Sequence, residues 1–296
     1  MNKRRYGRDV GLQMRMAFTM LLLTVVYLIF AGVLFRFTHA GMILFLIPLA
    51  GLFFQYYFSD KLVLAGAGAK IIEPSQSPEL YGIVQRLAQQ ADLPMPRVAI
   101  VETPMPNAFA TGRSPKHAVV AVTSGLLRQL SRSELESVLA HEMTHIRNRD
   151  MTIMTMAGSF AAVASWISQM WMWVGGGFND DRREGNGWIV VLLVSVVVAF
   201  ISHLLVMALS RYREYAADRG GALLTGEPEQ LASALLRISG TMAAIPTKDL
   251  REAQPLSALY IAAPSRETVI GIFADHPPIE KRIARLQALQ REMVVA

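Results

Sequence analysis

Long apolar stretches alternate with polar segments along this chain, and their lengths are the first guide to its structure. Four stretches contain no Asp, Glu, Lys or Arg, and they cover residues 16–35, 37–59, 151–179 and 185–210. Each is long enough for the roughly 20 residues that a membrane-spanning helix needs. The pattern therefore predicts four transmembrane helices, of which the third, rich in hydroxyls and small residues, is the least apolar.

The distribution of basic residues predicts an orientation in the membrane. The basic segment before the first apolar stretch also suits a signal peptide, but the long core and the lack of a clear cleavage site favour a retained anchor. Lys and Arg are concentrated in residues 1–15 and sparse in the first loop, so the positive-inside rule predicts a cytoplasmic N-terminus. The polar segments 60–150 and 211–296 are then predicted to be cytoplasmic too.

Turn and capping signals divide the polar segments into short elements. A helix is predicted from Ser77 to Ala91, and Ser133 and Glu136 have the spacing of a capping box that opens the next helix. Pro and Gly separate three strand candidates, which predicts a small antiparallel sheet. These candidates are 97–102, 107–111 and 118–123, and further helices are predicted over 227–239 and from residue 277.

Composition excludes several kinds of chemistry. The chain has 52% hydrophobic residues, a formal charge of +6 and no cysteine. Disulfides, thiolate metal ligands and a cysteine nucleophile are therefore excluded. The positive charge is explained by the basic tail and juxtamembrane residues, and no basic-aromatic run indicates nucleic-acid binding.

The strongest chemical signal is a His-Glu-x-x-His motif at His141, Glu142 and His145. Histidines four positions apart share a helix face and can bind one zinc ion, and the intervening glutamate is placed to act as a general base. Val138 and Leu135 continue the same face as the buried side of the helix, so the predicted metal site is enclosed.

A catalytic zinc site commonly takes a third protein ligand, here a His, Glu or Asp. We favour Glu214, because two predicted spans separate it from His145 and both residues lie close to the same membrane surface. Asp218, one helical turn further on, can orient a ligand imidazole. The alternatives are that Glu214 pairs with Arg211 or Arg213, and that Asp218 forms an ordinary helix salt bridge.

Several motifs together resemble the HtpX membrane metalloproteases, in the wider group that includes the CaaX-processing membrane endopeptidases. They are the His-Glu-x-x-His motif followed by Asn148-Arg149-Asp150, the strand at 107–112, the Glu214-x-x-x-Asp218 helix and the segment from His276 to Arg282. The resemblance covers essentially the whole chain.

The resemblance implies a polytopic α+β, mostly α protein with four transmembrane helices and a cytoplasmic gluzincin-like zinc protease domain. One Zn²⁺ per chain is expected on His141, His145 and Glu214. Glu142 would take the proton of the attacking water. The remaining expected site residues are His276 and Arg282 as oxyanion donors, Asp218 and Asp150 beside the ligands, and Asn107, Ala108 and Phe109 against the substrate backbone.

The corresponding domains are a basic tail at 1–15, two transmembrane helices at 16–59, the first part of the catalytic domain at 60–150, a transmembrane hairpin at 151–210 and the second part of the catalytic domain at 211–296. The expected activity is cleavage of misfolded or damaged membrane proteins in the cytoplasmic membrane of a bacterium. The expected partners are therefore unfolded or membrane proteins and the lipid bilayer, without nucleic acid.

Simpler interpretations remain for several residues. Asp150 and His276 can cap helix ends, Arg282 can be a structural ion-pair partner, and Asn107 can be a turn residue. At the level of the whole chain, the alternatives are a catalytically silent membrane scaffold with a structural zinc site and a transporter. No predicted span carries an acidic or basic residue to mark an ion path, which disfavours the transporter.

Overall fold

A computed structural model of the chain describes residues 10–37, 46, 50–51, 53–54, 56–174, 187–244 and 277–295. Over these ranges the chain is mostly helical and contains one small sheet. The helices are α1 (Val10–Phe37), α2 (Ser59–Ala67), α3 (Pro78–Ala91), α4 (Ser124–Gln129), α5 (Arg132–Asn148), α6 (Asp150–Val174), α7 (Gly187–Thr225), α8 (Pro228–Ala244) and α9 (Ile279–Val295). The strands are β1 (Lys70–Ile71), β2 (Arg97–Val101), β3 (Ala108–Thr111) and β4 (Val119–Thr123).

Three of the described helices are long and apolar enough to cross a membrane. The spans are Val10–Arg36, Asp150–Met170 and Ile189–Thr225, on α1, α6 and α7. They correspond to the first, third and fourth predicted transmembrane helices. The second predicted helix, at 37–59, lies largely outside the described residues.

The chain folds into two compact units. One contains Met1–Val10, Phe58–Thr152 and Ser210–Ala296, and the other contains Gly11–Tyr57 and Ile153–Leu209. In the second unit Phe30, Leu34, Val163, Ile167 and Val191 are buried in one apolar cluster. All of the chemically distinctive residues described below belong to the first unit.

The sheet has the strand order β1-β2-β4-β3, and the three predicted strands match β2, β3 and β4 to within one residue. β1 pairs with β2 and β3 with β4 in antiparallel orientation, but β2 and β4 are parallel. The sheet is therefore mixed, and the prediction of an antiparallel sheet was wrong. Pro and Gly mark where strands end, but they do not determine that β4 pairs with both β3 and the earlier β2.

The predicted helices around the sheet are confirmed, with shifted ends. α3 begins at Pro78 and buries Leu80, Ile83, Val84 and Leu87, which recur at the three- and four-residue spacing of one helix face. The predicted helix at 227–239 corresponds to α8, and the one predicted from residue 277 corresponds to α9, which starts two residues later.

α5 is the central helix of the first unit, and its start is fixed by polar contacts. The capping box is formed by Ser131 and Glu134, two residues before the predicted pair of Ser133 and Glu136. Both pairs have the Ser-x-x-Glu spacing, but Glu134 is buried and also binds α8, where Ser233 donates a 2.6 Å hydrogen bond to it and Arg237 lies 2.9 Å away. The capping residue is therefore selected by a tertiary contact.

Two glycines allow α7 to approach α5 closely. A Cβ atom on Gly221 would lie 2.8 Å from the backbone nitrogen of His141 and 2.9 Å from its Cα. A Cβ on Gly220 would overlap the side chain of Thr144. The helix backbones can therefore be this close only because both positions lack a side chain.

We expect Gly221→Ala to destabilise the first unit by about 1–3 kcal/mol, the usual cost of overpacking a well-packed contact. Gly240 is the matched control, because it also lies in a helix but a Cβ there would meet nothing within 4 Å. Gly240→Ala should be neutral or stabilising by up to about 1 kcal/mol. Thermal unfolding of the detergent-solubilised variants measures both, and equal midpoints for the two would contradict the close contact.

Candidate metal centre

His141, Glu142 and His145 project from α5 into the interior of the first unit. All three are buried, as is Glu214 of α7, which packs beside them. The histidines are one helical turn apart, so their rings lie on the same face of α5. The close approach at Gly221 brings α7 near enough for Glu214 to reach this face.

Three side chains point their ligand atoms at one common point. The Nε2 atoms of His141 and His145 lie 3.1 Å apart. Glu214 Oε2 lies 3.6 Å from Nε2 of His141, and its Oε1 lies 3.5 Å from Nε2 of His145. One ligand atom from each residue lies within 4.8 Å of the others, which is a spacing suited to binding a single metal ion.

A carboxylate faces the opposite nitrogen of each imidazole. Nδ1 of His145 lies 2.6 Å from Oδ2 of Asp150, and Nδ1 of His141 lies 3.0 Å from Oδ1 of Asp218. A carboxylate can only accept a hydrogen bond, so the contact with Asp150 places a ring proton on Nδ1 of His145, whereas Asp218 contacts His141 as a close charged neighbour. The Nε2 atoms of the two rings face each other at 3.1 Å, and they need a cation or a proton between them.

The charges around the histidines also fit a divalent cation. Among the described residues, four buried carboxyl groups and two buried guanidinium groups lie in this cluster; they belong to Glu142, Asp150, Glu214 and Asp218 and to Arg213 and Arg282. With every carboxyl ionised, the cluster carries two excess negative charges. A bound divalent cation would neutralise it, which is favourable because buried net charge is costly.

The environment of Glu142 suits a general base. Burial raises the pKa of Glu142, and the neighbouring Glu214 carboxylate also raises it, against the lowering effect of the two histidines. The backbone N–H of Ala110, on β3, donates a hydrogen bond to the Glu142 carboxyl group. Glu142 therefore lies between the ligand face of α5 and the edge of the sheet.

Arg282 is fully buried and lies behind the ligands. Its Nε and Nη2 atoms donate hydrogen bonds of 2.8 and 2.6 Å to the two carboxylate oxygens of Asp218. Its Nη1 lies 3.3 Å from Oε2 of Glu214. Arg282 thus joins α9 to the two acidic residues of α7, whereas His276 lies outside the described residues.

The predicted substrate strand is the edge strand β3. Thr123 donates its backbone N–H to the carbonyl of Asn107, so in the alternation of an antiparallel pair Phe109 also faces β4 with its backbone groups. The Phe109 side chain packs in an apolar cluster with Ala99 and Val119. The backbone groups of Ala108 and Ala110 point to the edge of β3 that pairs with no other described strand, hereafter the free edge, and Ala110 meets Glu142 on this side.

Sequence reasoning did not identify Arg213 or Ala110 as site residues. Arg213 lies 3.3 Å from the Asp150 carboxylate, and Ala110 contributes only its backbone N–H. In the sequence, Arg213 is only an alternative salt-bridge partner of Glu214. The adjacency of Arg213 to the ligand Glu214 was the one available signal, and no side-chain pattern can reveal a backbone donor.

The buried group of His141, His145 and Glu214 could hold a metal ion, and the carboxyl group of Glu142 lies beside it, as expected for a metallopeptidase. Residues 74–290 match the model of peptidase family M48. The chain is 53% identical over 296 residues to the Protease HtpX homolog of Moorella thermoacetica, covering 98% of both proteins. It is 49% identical over 294 residues to Protease HtpX homolog 2 of Methanosarcina mazei, covering 98% of this chain and 99% of that one. The chain therefore belongs to the HtpX-type proteases of peptidase family M48.

A solved structure supports the fold independently. The crystal structure of S. mikatae Ste24p superimposes with a TM-score of 0.53 at 16% sequence identity. The match covers 94% of this chain and 66% of the Ste24p chain. The described arrangement of helices and sheet is therefore shared with a distant relative.

Metal binding should release a proton. Burial alone would lower the pKa of His141, but the Asp218 and Glu214 carboxylates outweigh it and raise the pKa to about 9. Below that pH the metal-free site holds a proton that a ligand nitrogen must lose. We expect the apparent Kd for Zn²⁺ to fall about tenfold per pH unit from pH 7 to 9.

Calorimetric titration of the chain with Zn²⁺, in buffers of different ionisation enthalpy, counts the released protons directly. Asp218→Asn is the matched variant, because it removes a carboxylate that raises the pKa of His141, and it should release fewer protons at pH 8. A Kd that is constant between pH 7 and 9 would show that His141 is already neutral.

Proposed function

We propose that this chain is a zinc-dependent membrane endopeptidase that hydrolyses peptide bonds in misfolded or damaged membrane proteins. The observation that carries the proposal is the convergence of His141, His145 and Glu214 on one point beside the buried carboxyl group of Glu142. Membership of the HtpX-type proteases supports the peptidase activity, and the apolar helices support a membrane setting.

We favour zinc because two imidazoles and a carboxylate are ligand types that it commonly takes. Tetrahedral coordination at bond lengths of about 2.0–2.1 Å places ligand atoms about 3.3 Å apart. The two histidine Nε2 atoms lie 3.1 Å apart, and the two oxygens of Glu214 lie 3.6 Å from Nε2 of His141 and 3.5 Å from Nε2 of His145. When bound, Zn²⁺ would polarise the scissile carbonyl and lower the pKa of a water molecule.

Side chains of the protein would then accept and donate the proton that is transferred during hydrolysis. Glu142 takes the proton of the attacking water and passes it to the leaving amine, and its raised pKa favours the first of these transfers because it makes the carboxylate a stronger base. We propose that Arg282 acts mainly through Asp218 and Glu214, because it donates two hydrogen bonds to Asp218 and lies 3.3 Å from Glu214. His276 stays our proposal for an oxyanion donor.

The substrate would bind as an added strand along β3. Backbone groups of Ala108 and Ala110 point to the free edge, and Ala110 already contacts Glu142. Strand addition would place a substrate peptide bond beside the ligand face of α5. In this arrangement Asn107 and Phe109 hold β3 on β4, and Ala108 makes the direct backbone contacts.

We further propose that the protein lies in the cytoplasmic membrane with its N-terminus and catalytic residues in the cytoplasm. The clustering of Lys and Arg in residues 1–15 supports this orientation. The sequence suggested a bacterial host, and the similar proteins come from both bacteria and archaea. The competing function is a catalytically silent scaffold with a structural zinc site.

Glu142→Gln separates the peptidase from the scaffold. Full-length wild type and variant, loaded with Zn²⁺ in detergent, are compared in cleavage of casein. We expect the turnover number to fall by a factor of about 10² or more, since the amide cannot take a proton. Zinc content should be equal, because Glu142 is not one of the three convergent ligands. Equal zinc and no cleavage by either protein would favour the scaffold.

Backbone methylation of a peptide substrate tests strand addition. N-methylation at the residue whose N–H faces β3 should raise KM by roughly tenfold, because it removes about one hydrogen bond between the substrate and β3. N-methylation one residue further along is the control, because that N–H points away from the strand. Equal KM values for the whole methylated series would contradict a substrate bound along β3.

A further inference from the structure

The two ligand histidines are supported in parallel ways. Beside His141, the Asp218 carboxylate contacts Nδ1 and is itself held by Arg282. Beside His145, the Asp150 carboxylate contacts Nδ1, and Arg213 lies next to it. Each imidazole therefore has a carboxylate on its far side and an arginine behind that carboxylate.

Asp150 depends on Arg213 for compensation of its charge. Its side chain is fully buried, with Oδ2 2.6 Å from Nδ1 of His145 and 3.3 Å from Nε of Arg213. Among the described residues, its Oδ1 has no hydrogen-bond partner. A nearby cation offsets the cost of burying a carboxylate, and Arg213, only 8% exposed and 3.3 Å away, supplies that positive charge.

The backbone places this pair at the junction of three helices. Arg149 adopts a left-handed conformation with φ of 56°, which ends α5 and lets α6 begin at the next residue. Asp150 is thereby brought back beside His145. Arg213 immediately precedes Glu214 on α7. Glu214 therefore faces the two histidines, and the residue before it contacts the Asp150 carboxylate.

We propose that Arg213 is a positioning residue that acts through Asp150 to fix the orientation of the His145 imidazole. It thereby sets the affinity of the site for zinc. This inference rests on the proposed function only for the presence of a metal at this site, and it does not require peptide hydrolysis. Removing such a support typically weakens metal binding by about 10–100-fold.

The test uses full-length protein in detergent. It measures the Kd for Zn²⁺ by chelator competition and the visible absorption spectrum of the Co²⁺-loaded chain. Arg213→Met should raise the Kd by about 10–100-fold and alter the Co²⁺ spectrum. Arg213→Lys, which keeps the charge, should recover part of the loss. Asp150→Asn combined with Arg213→Met should be no weaker than Asp150→Asn alone, because the arginine acts through the aspartate.

Arg237→Met is the matched control. Arg237 also pairs with a buried carboxylate, Glu134, at 2.9 Å, and that pair does not contact the ligands. The control should lower the unfolding temperature and leave the Kd unchanged. A wild-type Kd and Co²⁺ spectrum in Arg213→Met would overturn the proposal. An equal loss of zinc affinity in Arg237→Met would also overturn it, as would fully multiplicative effects of Asp150→Asn and Arg213→Met on the Kd. Zinc binding that follows the prediction without any casein cleavage would reject only the peptidase function.

Discussion

Buried charge is the constraint on which the arrangement of helices in the first unit depends. The carboxyl groups that face the two histidines outnumber the arginines beside them, so a further positive charge in the cluster is favourable. α5 supplies the imidazoles, α7 supplies Glu214 and Asp218, and α9 supplies Arg282. Charged contacts therefore join helices that are distant in sequence. If one of these groups were misplaced, its partner would be left as an uncompensated buried charge.

Close packing gives this charge cluster its geometry. Gly221 lies against the backbone of His141, and the apolar core beneath α5 buries Val138, Leu139 and Met143. Ligand side chains on two packed helices have less conformational freedom than ligand side chains on loops, because the backbone that carries them is rigid. The ligand separations near 3.5 Å follow from that packing together with the imidazole contacts to Asp150 and Asp218.

Much of this arrangement could be predicted from the sequence, and the remainder has identifiable causes. Periodicity identified α3 and α5, and the spacing of His141 and His145 together with the topological position of Glu214 predicted the convergent group. The parallel pairing of β2 with β4 could not be read from turn residues, which mark strand ends and leave partners open. Likewise, Arg213 reaches Asp150 from 63 positions away in the numbering, and no local pattern encodes that contact.

The hydrogen bond from Ala110 to Glu142 connects substrate binding to catalysis in the proposed mechanism. A backbone N–H at the free edge of β3 both marks where an added strand would lie and holds the carboxyl group that must receive a proton. β3 has little freedom to move, because its opposite edge is paired along β4. The base and the substrate strand are therefore aligned by one element, and the orientation of Glu142 depends on the sheet as much as on the helix that carries it.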